Sequence, residues 1–287
     1  MRTARFGFLL ACPVIAYLLA VQAYPFASAL FTSLTDKRIG TPGRFIGLGN
    51  YLDLVREPLF WIAVRNSLVF TAAAITAKLV FGMVMALVLN QERPLRNLWR
   101  ALLFLPWTIP TIITVLTFQL LYSSTGGVLN YLLLKAHVVA RPIDWLGTPF
   151  WAMVAVVLTN VWRGTPFFGI SLLGALQTIP REHYEAAEID GANVVQQFAH
   201  ITLPSVRNVA LLVTIVSTIW TLNDFQIIWV LTRGGPANST QVFATLTYTT
   251  AFLNLDLGRA IAISVASVPF LVVLIGWATR SVLRGEV

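Results

Sequence analysis

Residues 184–204 read Tyr-Glu-Ala-Ala-Glu-Ile-Asp-Gly-Ala-Asn-Val-Val-Gln-Gln-Phe-Ala-His-Ile-Thr-Leu-Pro. Together with Glu182, this stretch puts four acids (Glu182, Glu185, Glu188 and Asp190) within nine residues, in a chain that carries 12 in total. Long apolar runs flank it on both sides. Pro180 suits a first helical turn, where no backbone donor is needed. Asp190-Gly191 reads as a turn, because glycine takes positive φ without a steric cost. Pro204 precedes the next apolar run. Residues from about 177 to 206 are therefore predicted to form a short helix, a sharp elbow and a second short helix, lying in water between two membrane spans.

The composition agrees. Of 287 residues, 57% are hydrophobic and 11% charged, where a soluble domain carries about 25% charged residues. The mean hydropathy is +0.75. The fold class is all-α: a polytopic membrane protein whose residues 1–287 form a single transmembrane domain. The net charge of +8 is scattered around apolar spans, which points to topology and lipid headgroups and away from nucleic acid. The single cysteine, Cys12, lies in an apolar run and has no partner for an intrachain disulfide. There is no zinc-type Cys/His cluster and no Gly-x-x-x-x-Gly-Lys-Ser/Thr loop. If ATP drives this protein, another chain binds it.

About 20 apolar residues cross a bilayer core. Spans are expected at about 6–31, 62–89, 101–122, 150–173, 209–231 and 257–279. Ala27-Ser28-Ala29 mimics a signal-peptidase site, but the first apolar run is longer than a signal peptide's, so it is read as an uncleaved anchor. Residues 52–65 have amphipathic helical spacing suited to the interface. Pro106 and Pro110 predict a kink or broken turn in the third span. Residues 123–147 form an outer connection, and residues 241–256 an outer, partly helical one. Six spans put both termini on the elbow's face. That face then holds nine basic residues (Arg2, Arg5, Arg93, Arg96, Arg100, Arg181, Arg207, Arg280 and Arg284), and the other face also holds nine. The arginines are denser at the termini and in the 91–100 loop, which favours the elbow's face as the inner one.

Several motifs resemble one family. Glu185-Ala186-Ala187, Gly191 six residues after the Glu, and Ile201-Thr202-Leu203-Pro204 resemble the Glu-Ala-Ala loop of permease subunits of binding-protein-dependent ABC importers. Phe45-Ile46-Gly47-Leu48-Gly49-Asn50-Tyr51, and Leu231-Thr232-Arg233-Gly234-Gly235-Pro236 followed by Thr240, resemble the carbohydrate-importing members. The resemblance implies that the elbow is a coupling helix docking on a cytoplasmic ATPase dimer, through Glu185, Ala186, Ala187, Asp190 and Gly191. It also implies a second six-span permease subunit, an extracytoplasmic solute-binding protein, and a place in the bacterial cytoplasmic membrane with both termini cytoplasmic. No cofactor is expected in this chain, since ATP and Mg sit on the partner ATPase.

Polar groups within a bilayer are costly and face a cavity or one another. Asn160 and Gly164 are four apart on the fourth span. Ser217, Thr221 and Asp224 follow i, i+4, i+7 on the fifth. A hydroxylated solute needs such donors and acceptors, and aromatic faces that Trp107, Trp162, Phe167, Trp220 and Phe225 can supply. The alternative use of such polar residues is hydrogen bonding between helices. From Asn160 to Pro236 the chain resembles the larger maltose-type permease subunit without a gap. The resemblance implies that the positions of Asn160, Gly164, Ser217, Thr221 and Asp224 line the sugar cavity. The chain departs from it at Thr221 and Asp224, where that subunit has Asn, and at Arg163, where an apolar residue would sit.

Arg163 and Asp224 invite pairing across the fourth and fifth spans. Arg163 also suits an anion, so a glycerophosphate or polyol importer is an alternative substrate class. Lys78, near the middle of the second span, has no partner identifiable from sequence, and a helix-lining or inter-subunit contact is expected. An ion-coupled secondary transporter is the competing mechanism, with Asp224 its one credible intramembrane carboxylate, but it leaves the elbow unexplained. His137, His183 and His200 all fall in or near loops, with no paired acid/base or nucleophile motif for an intramembrane enzyme.

Overall fold

A computed structural model describes residues 2–92 and 94–283. Arg93 and Arg284, two of the basic residues counted above, lie outside the described residues. Every regular element among the described residues is helical, with two isolated β-bridges, Thr35 to Phe45 and Arg38 to Asp256. The chain divides into two compact units, residues 1–61 with 246–269, and residues 62–245 with 270–287.

In the first unit, α1 (Arg2–Leu18) runs through a π-helical turn, Leu19–Ala23, into α2 (Tyr24–Ser33). Leu10, Tyr17, Phe26 and Phe31 stand exposed along this rod, as lipid-facing side chains would. The Asn50-Tyr51 pair closes its end. Asn50 Nδ2 donates to the carbonyls of Ser33 and Thr35, both at 2.8 Å, and Tyr51 Oη lies 2.7 Å from Ser33 Oγ. A helix end leaves carbonyls without intrahelical partners, and one amide satisfies two of the carbonyls there. Both residues come from α3 (Gly49–Arg56). Gly258 lies against the same turn, where a Cβ would fall 2.1 Å from the Thr35 carbonyl. Glu57 and Arg259 form an ion pair within this unit.

The expected amphipathic helix over 52–65 is two helices. α3 stops at Arg56, and α4 begins at Pro58. Glu57 is extended at φ −87°, ψ 119°, because the proline ring excludes α geometry from the residue before it.

In the second unit, α4 (Pro58–Asn90), α8 (Pro149–Leu176) and α11 (Leu203–Leu222) carry the core. Glycines let α4 and α8 approach closely. A Cβ on Gly82 would lie 2.4 Å from Phe168 Cβ, and one on Gly169 would lie 2.6 Å from Met85 Sδ. Small residues at such crossings are how membrane helices gain packing contact.

The third expected span is α5 (Arg96–Thr108) and α6 (Thr111–Leu121), bent by 91°. The break falls at Ile109-Pro110, with Ile109 extended, while Pro106 stays inside α5. The outer connection after it contains α7 (Val128–Lys135).

The fifth expected span, 209–231, is not one helix. α11 ends at Leu222, and Asn223, Asp224 and Phe225 separate it from α12 (Gln226–Leu231). The chain then turns through a loop pinned to α4, where Asn66 Nδ2 donates to the carbonyls of Asn238 and Gln241 at 2.9 and 3.1 Å. After it come α13 (Phe243–Tyr248), a π-helical turn over Thr249–Leu253, and α14 (Leu257–Leu283).

Four stretches among the described residues are long and apolar enough to cross a membrane: Leu10–Ser33, Pro58–Asn90, Pro149–Leu176 and Val194–Leu222. The α5–α6 pair passes the same test if taken together, and Leu257–Val273 is a shorter apolar helix. The chain is a polytopic all-α membrane protein.

Candidate functional site

Three helices of the second unit share a layered pattern. Near the elbow, Met83, Met85, Leu89, Phe168, Leu172 and Val213 form one apolar cluster. Farther along, Phe70, Ala155, Val156, Ile227 and Ile228 join a second. Between these layers lie Lys78 on α4, Asn160, Arg163 and Gly164 on α8, and Ser217, Thr221 and Asp224 on and after α11. They line one cavity of about 300 Å³, which holds all six candidate solute residues, Asn160, Arg163, Gly164, Ser217, Thr221 and Asp224. Lys78, Thr111, Asn223 and Gln226 line it too.

Lys78 is the centre of the layer. Its side chain is 2% exposed, and its ammonium donates to Ser217 Oγ at 3.1 Å and Thr221 Oγ1 at 2.8 Å. A buried charge needs this kind of polar shell. Gly164 makes room for it, since a Cβ there would lie 2.5 Å from Lys78 Cδ. The Ser217–Thr221 stripe, read from sequence as solute-facing, thus also holds a lysine from another helix. The sequence signal was Lys78 itself, a charge in mid-span, but nothing in it named the partners.

Asp224 is not on the helical stripe with Ser217 and Thr221, because α11 has already ended. It reaches the same cavity from the break. Its carboxylate accepts from Asn160 Nδ2 at 2.9 Å and from the backbone N–H of Ile227 at 3.2 Å. The second contact ties it to the first turn of α12, where backbone donors are unpaired. Arg163 makes no ion pair with Asp224 within 4 Å. Its guanidinium lies over the Trp107 ring instead, 5.5 Å from the centroid.

Trp107, Trp220 and Phe225 line the cavity. Phe167 backs them, with ring centroids 5.3 Å from Trp107 and 5.1 Å from Trp220. Trp162 is elsewhere, packed edge-on against Phe118 at 5.3 Å.

The elbow is built by local chemistry. Helix α9 (Arg181–Ile189) follows Pro180, which stands just before its first turn as the cap residue. The helix closes with Gly191 N–H donating to the Glu188 carbonyl and Ala192 N–H donating to that of Ala187, at 3.0 and 2.8 Å. Gly191 has φ +80°, which is the glycine-terminated helix stop. Asn193 and Gln196 then form a capping box that starts α10 (Val194–Gln197). Contrary to expectation, no separate second short helix follows. α10 continues through a π-helical turn, Phe198–Thr202, into α11, so Val194–Leu222 is one rod.

Glu185, Ala186, Asp190 and Gly191 are exposed on the elbow, and Ala187 is half-buried. Ala187 lies with Gly191, Gln197 and Ile201 around a hollow within the elbow. Ile189, Val194 and Val195 are 87%, 80% and 74% exposed. Arg181 forms an ion pair with Glu92, and both are well exposed.

A helical membrane protein with a polar cavity between two apolar layers and a capped elbow between two of its long helices has the build of a transport subunit. Residues 78–284 match the family described as binding-protein-dependent transport system inner membrane component, and the chain belongs to that family. It is 36% identical over 266 residues to the trehalose/maltose transport system permease protein MalF of Thermococcus litoralis, covering 92% of this chain and 89% of the relative. It is 36% identical over 250 residues to the lactose transport system permease protein LacF of Rhizobium radiobacter, covering 86% and 83%. The sulfoquinovosyl glycerol transport system permease protein SmoG of Agrobacterium fabrum is 33% identical over 259 residues, covering 89% and 83%. The fold matches a chain of a bacterial ABC transporter involved in the import of the acidic polysaccharide alginate, with TM-score 0.82 and 20% identity, covering 99% of this chain and 96% of that one.

Proposed function

We propose that this chain is one of two transmembrane subunits of an ABC importer for a sugar or sugar-like solute, driven by ATP hydrolysed on a partner. The observation that carries this is the cavity, in which Asn160, Ser217, Thr221 and Asp224 meet Trp107, Trp220 and Phe225 in one space. Hydroxyl-bearing rings present polar edges and C–H faces, and this lining offers a match for each. The names of the similar permeases, which include trehalose/maltose, lactose and sulfoquinovosyl glycerol systems, support the solute class.

In this reading six spans cross the membrane: the four long rods, the bent α5–α6 pair, and α14. The elbow and both termini face the cytoplasm. The exposed apolar tip of Ile189, Val194 and Val195, beside Glu185 and Asp190, is the surface that docks on the ATPase dimer, since an exposed apolar patch in water marks a partner site. ATP and Mg belong to that dimer. A related six-span chain completes the pathway, and a solute-binding protein delivers the solute from outside. Closure of the ATPases draws the elbows together and switches the cavity between faces.

The test is co-purification of the tagged chain from its native membrane in mild detergent. Recovery of a second six-span chain, an ATPase and a solute-binding protein, followed by ATP-dependent sugar uptake in liposomes, is the expected result. A stable homo-oligomer with ATP-independent, ion-driven uptake would overturn it.

A further inference from the structure

We propose that the solute is an anionic saccharide, a hydroxylated ring bearing a carboxylate or similar oxyanion, and that Arg163 selects for it. This rests on the reading of the cavity as the solute path. The argument is an account of which polar groups are already committed. Lys78 has three N–H donors and commits two of them, to Ser217 and Thr221. Asp224 accepts from Asn160 Nδ2 and from Ile227 N–H. Two residues that line the cavity each keep one buried atom without a hydrogen-bond partner: Arg163 Nε and Asn160 Oδ1. One is a donor on a cation, and the other an acceptor on a neutral amide.

Buried polar atoms are nearly always paired, so the Arg163 and Asn160 side chains have hydrogen-bonding capacity that the protein does not use. Arg163 needs an acceptor, and Asn160 Oδ1 needs a donor such as a sugar hydroxyl. The guanidinium lies over Trp107, which covers one face and leaves its two terminal N–H₂ groups for a ligand. That pair matches the two oxygens of a carboxylate.

Charge decides between a neutral and an anionic solute. The lining residues include two cations, Lys78 and Arg163, and one carboxylate, Asp224. The excess is one positive charge, among aromatic walls. A neutral sugar can satisfy the orphaned hydrogen bonds, but it leaves that charge desolvated without an opposite one. An anion supplies both the acceptor and the charge. The volume of about 300 Å³ is at the small end of ligand pockets, which fits a mono- or disaccharide unit.

The experiment is equilibrium binding of radiolabelled hexuronates and their matching hexoses to the co-purified transporter complex in nanodiscs. The hexuronate of at least one pair is expected to bind about tenfold tighter than its hexose. Arg163→Gln is expected to bring the two within about twofold of each other. Asp224→Asn is expected to strengthen hexuronate binding, because it removes the opposing charge, so the two variants move the preference in opposite directions. Equal binding of hexoses and hexuronates to the unaltered complex would overturn the anionic class and leave a neutral-sugar pathway standing. A preference that survives Arg163→Gln, or an Asp224→Asn variant that loses it, would also overturn the assignment. No binding of any sugar in the panel would overturn the proposal and the cavity reading together.

Discussion

Lys78 Nζ and Thr221 Oγ1 meet at 2.8 Å across 143 positions of sequence. This contact ties α4 to α11 in the middle of the polar layer. Lys78→Met removes the donor to two hydroxyls, each of which can turn to a carbonyl one turn back on its own helix. The expected loss of stability is about 1 kcal/mol, the scale of a single hydrogen bond. Uptake in proteoliposomes is expected to fall about tenfold, the step in rate that ~1.4 kcal/mol of lost transition-state stabilisation gives. Lys78→Glu puts a second carboxylate in the cavity with Asp224 and is expected to cost about 3–5 kcal/mol, read by thermal unfolding.

Gly164 and Lys78 are coupled sterically. A Cβ at 164 would sit 2.5 Å from Lys78 Cδ, in a side chain whose far end is held by two hydrogen bonds. Gly164→Ala is expected to cost about 1–3 kcal/mol. In a Lys78→Ala background the same change should cost almost nothing. A coupling energy near zero in this double-mutant cycle would show that the two sites are independent.

The two glycines at the α4–α8 crossing should differ. A Cβ on Gly82 meets Phe168 Cβ at 2.4 Å and the Gly169 nitrogen at 3.2 Å, both fixed to a helix backbone. A Cβ on Gly169 meets the sulfur of Met85, a side chain that adapts easily. Gly82→Ala is therefore expected to destabilise by about 2–3 kcal/mol and Gly169→Ala by about 1 kcal/mol or less. Melting temperatures of the two variants, measured side by side, check the order.

At the elbow, the space beside Gly191 is open, and the constraint is its φ of +80°. Gly191→Asn is expected to be mild, Gly191→Ala to cost about 1 kcal/mol and Gly191→Val more. Gly191→Pro cannot adopt this φ at all. With Glu185→Lys, it is expected to leave membrane insertion intact and to raise ATP hydrolysed per solute imported by the assembled transporter. Normal ratios in both variants would remove the coupling role from the elbow.

Arg163 rests on Trp107, and no ion pair within 4 Å joins it to Asp224. The exchanged pair Arg163→Asp with Asp224→Arg is therefore expected not to restore uptake lost in the single variants. Recovery to even about a tenth of the original rate, a barrier still raised by ~1.4 kcal/mol, would indicate a functional ion pair in another state of the cycle.

The sequence by itself determined the membrane-spanning class, the elbow and most of the cavity lining. Each is written in local terms. Apolar runs of bilayer length report burial in lipid, Asp190-Gly191 reports a helix stop, and polar residues spaced at helical intervals report one face. Only the tertiary structure decided where α11 ends, how Asp224 enters the cavity through that break, and what Lys78 holds. It also showed that Gly164 is small because a lysine from another helix passes over it. The physical reason is that a helix end within an apolar run, a buried donor's partner and the space a Cβ would fill depend on chain segments far apart in sequence. Local pattern reports which face is polar. Only packing reports what that face touches.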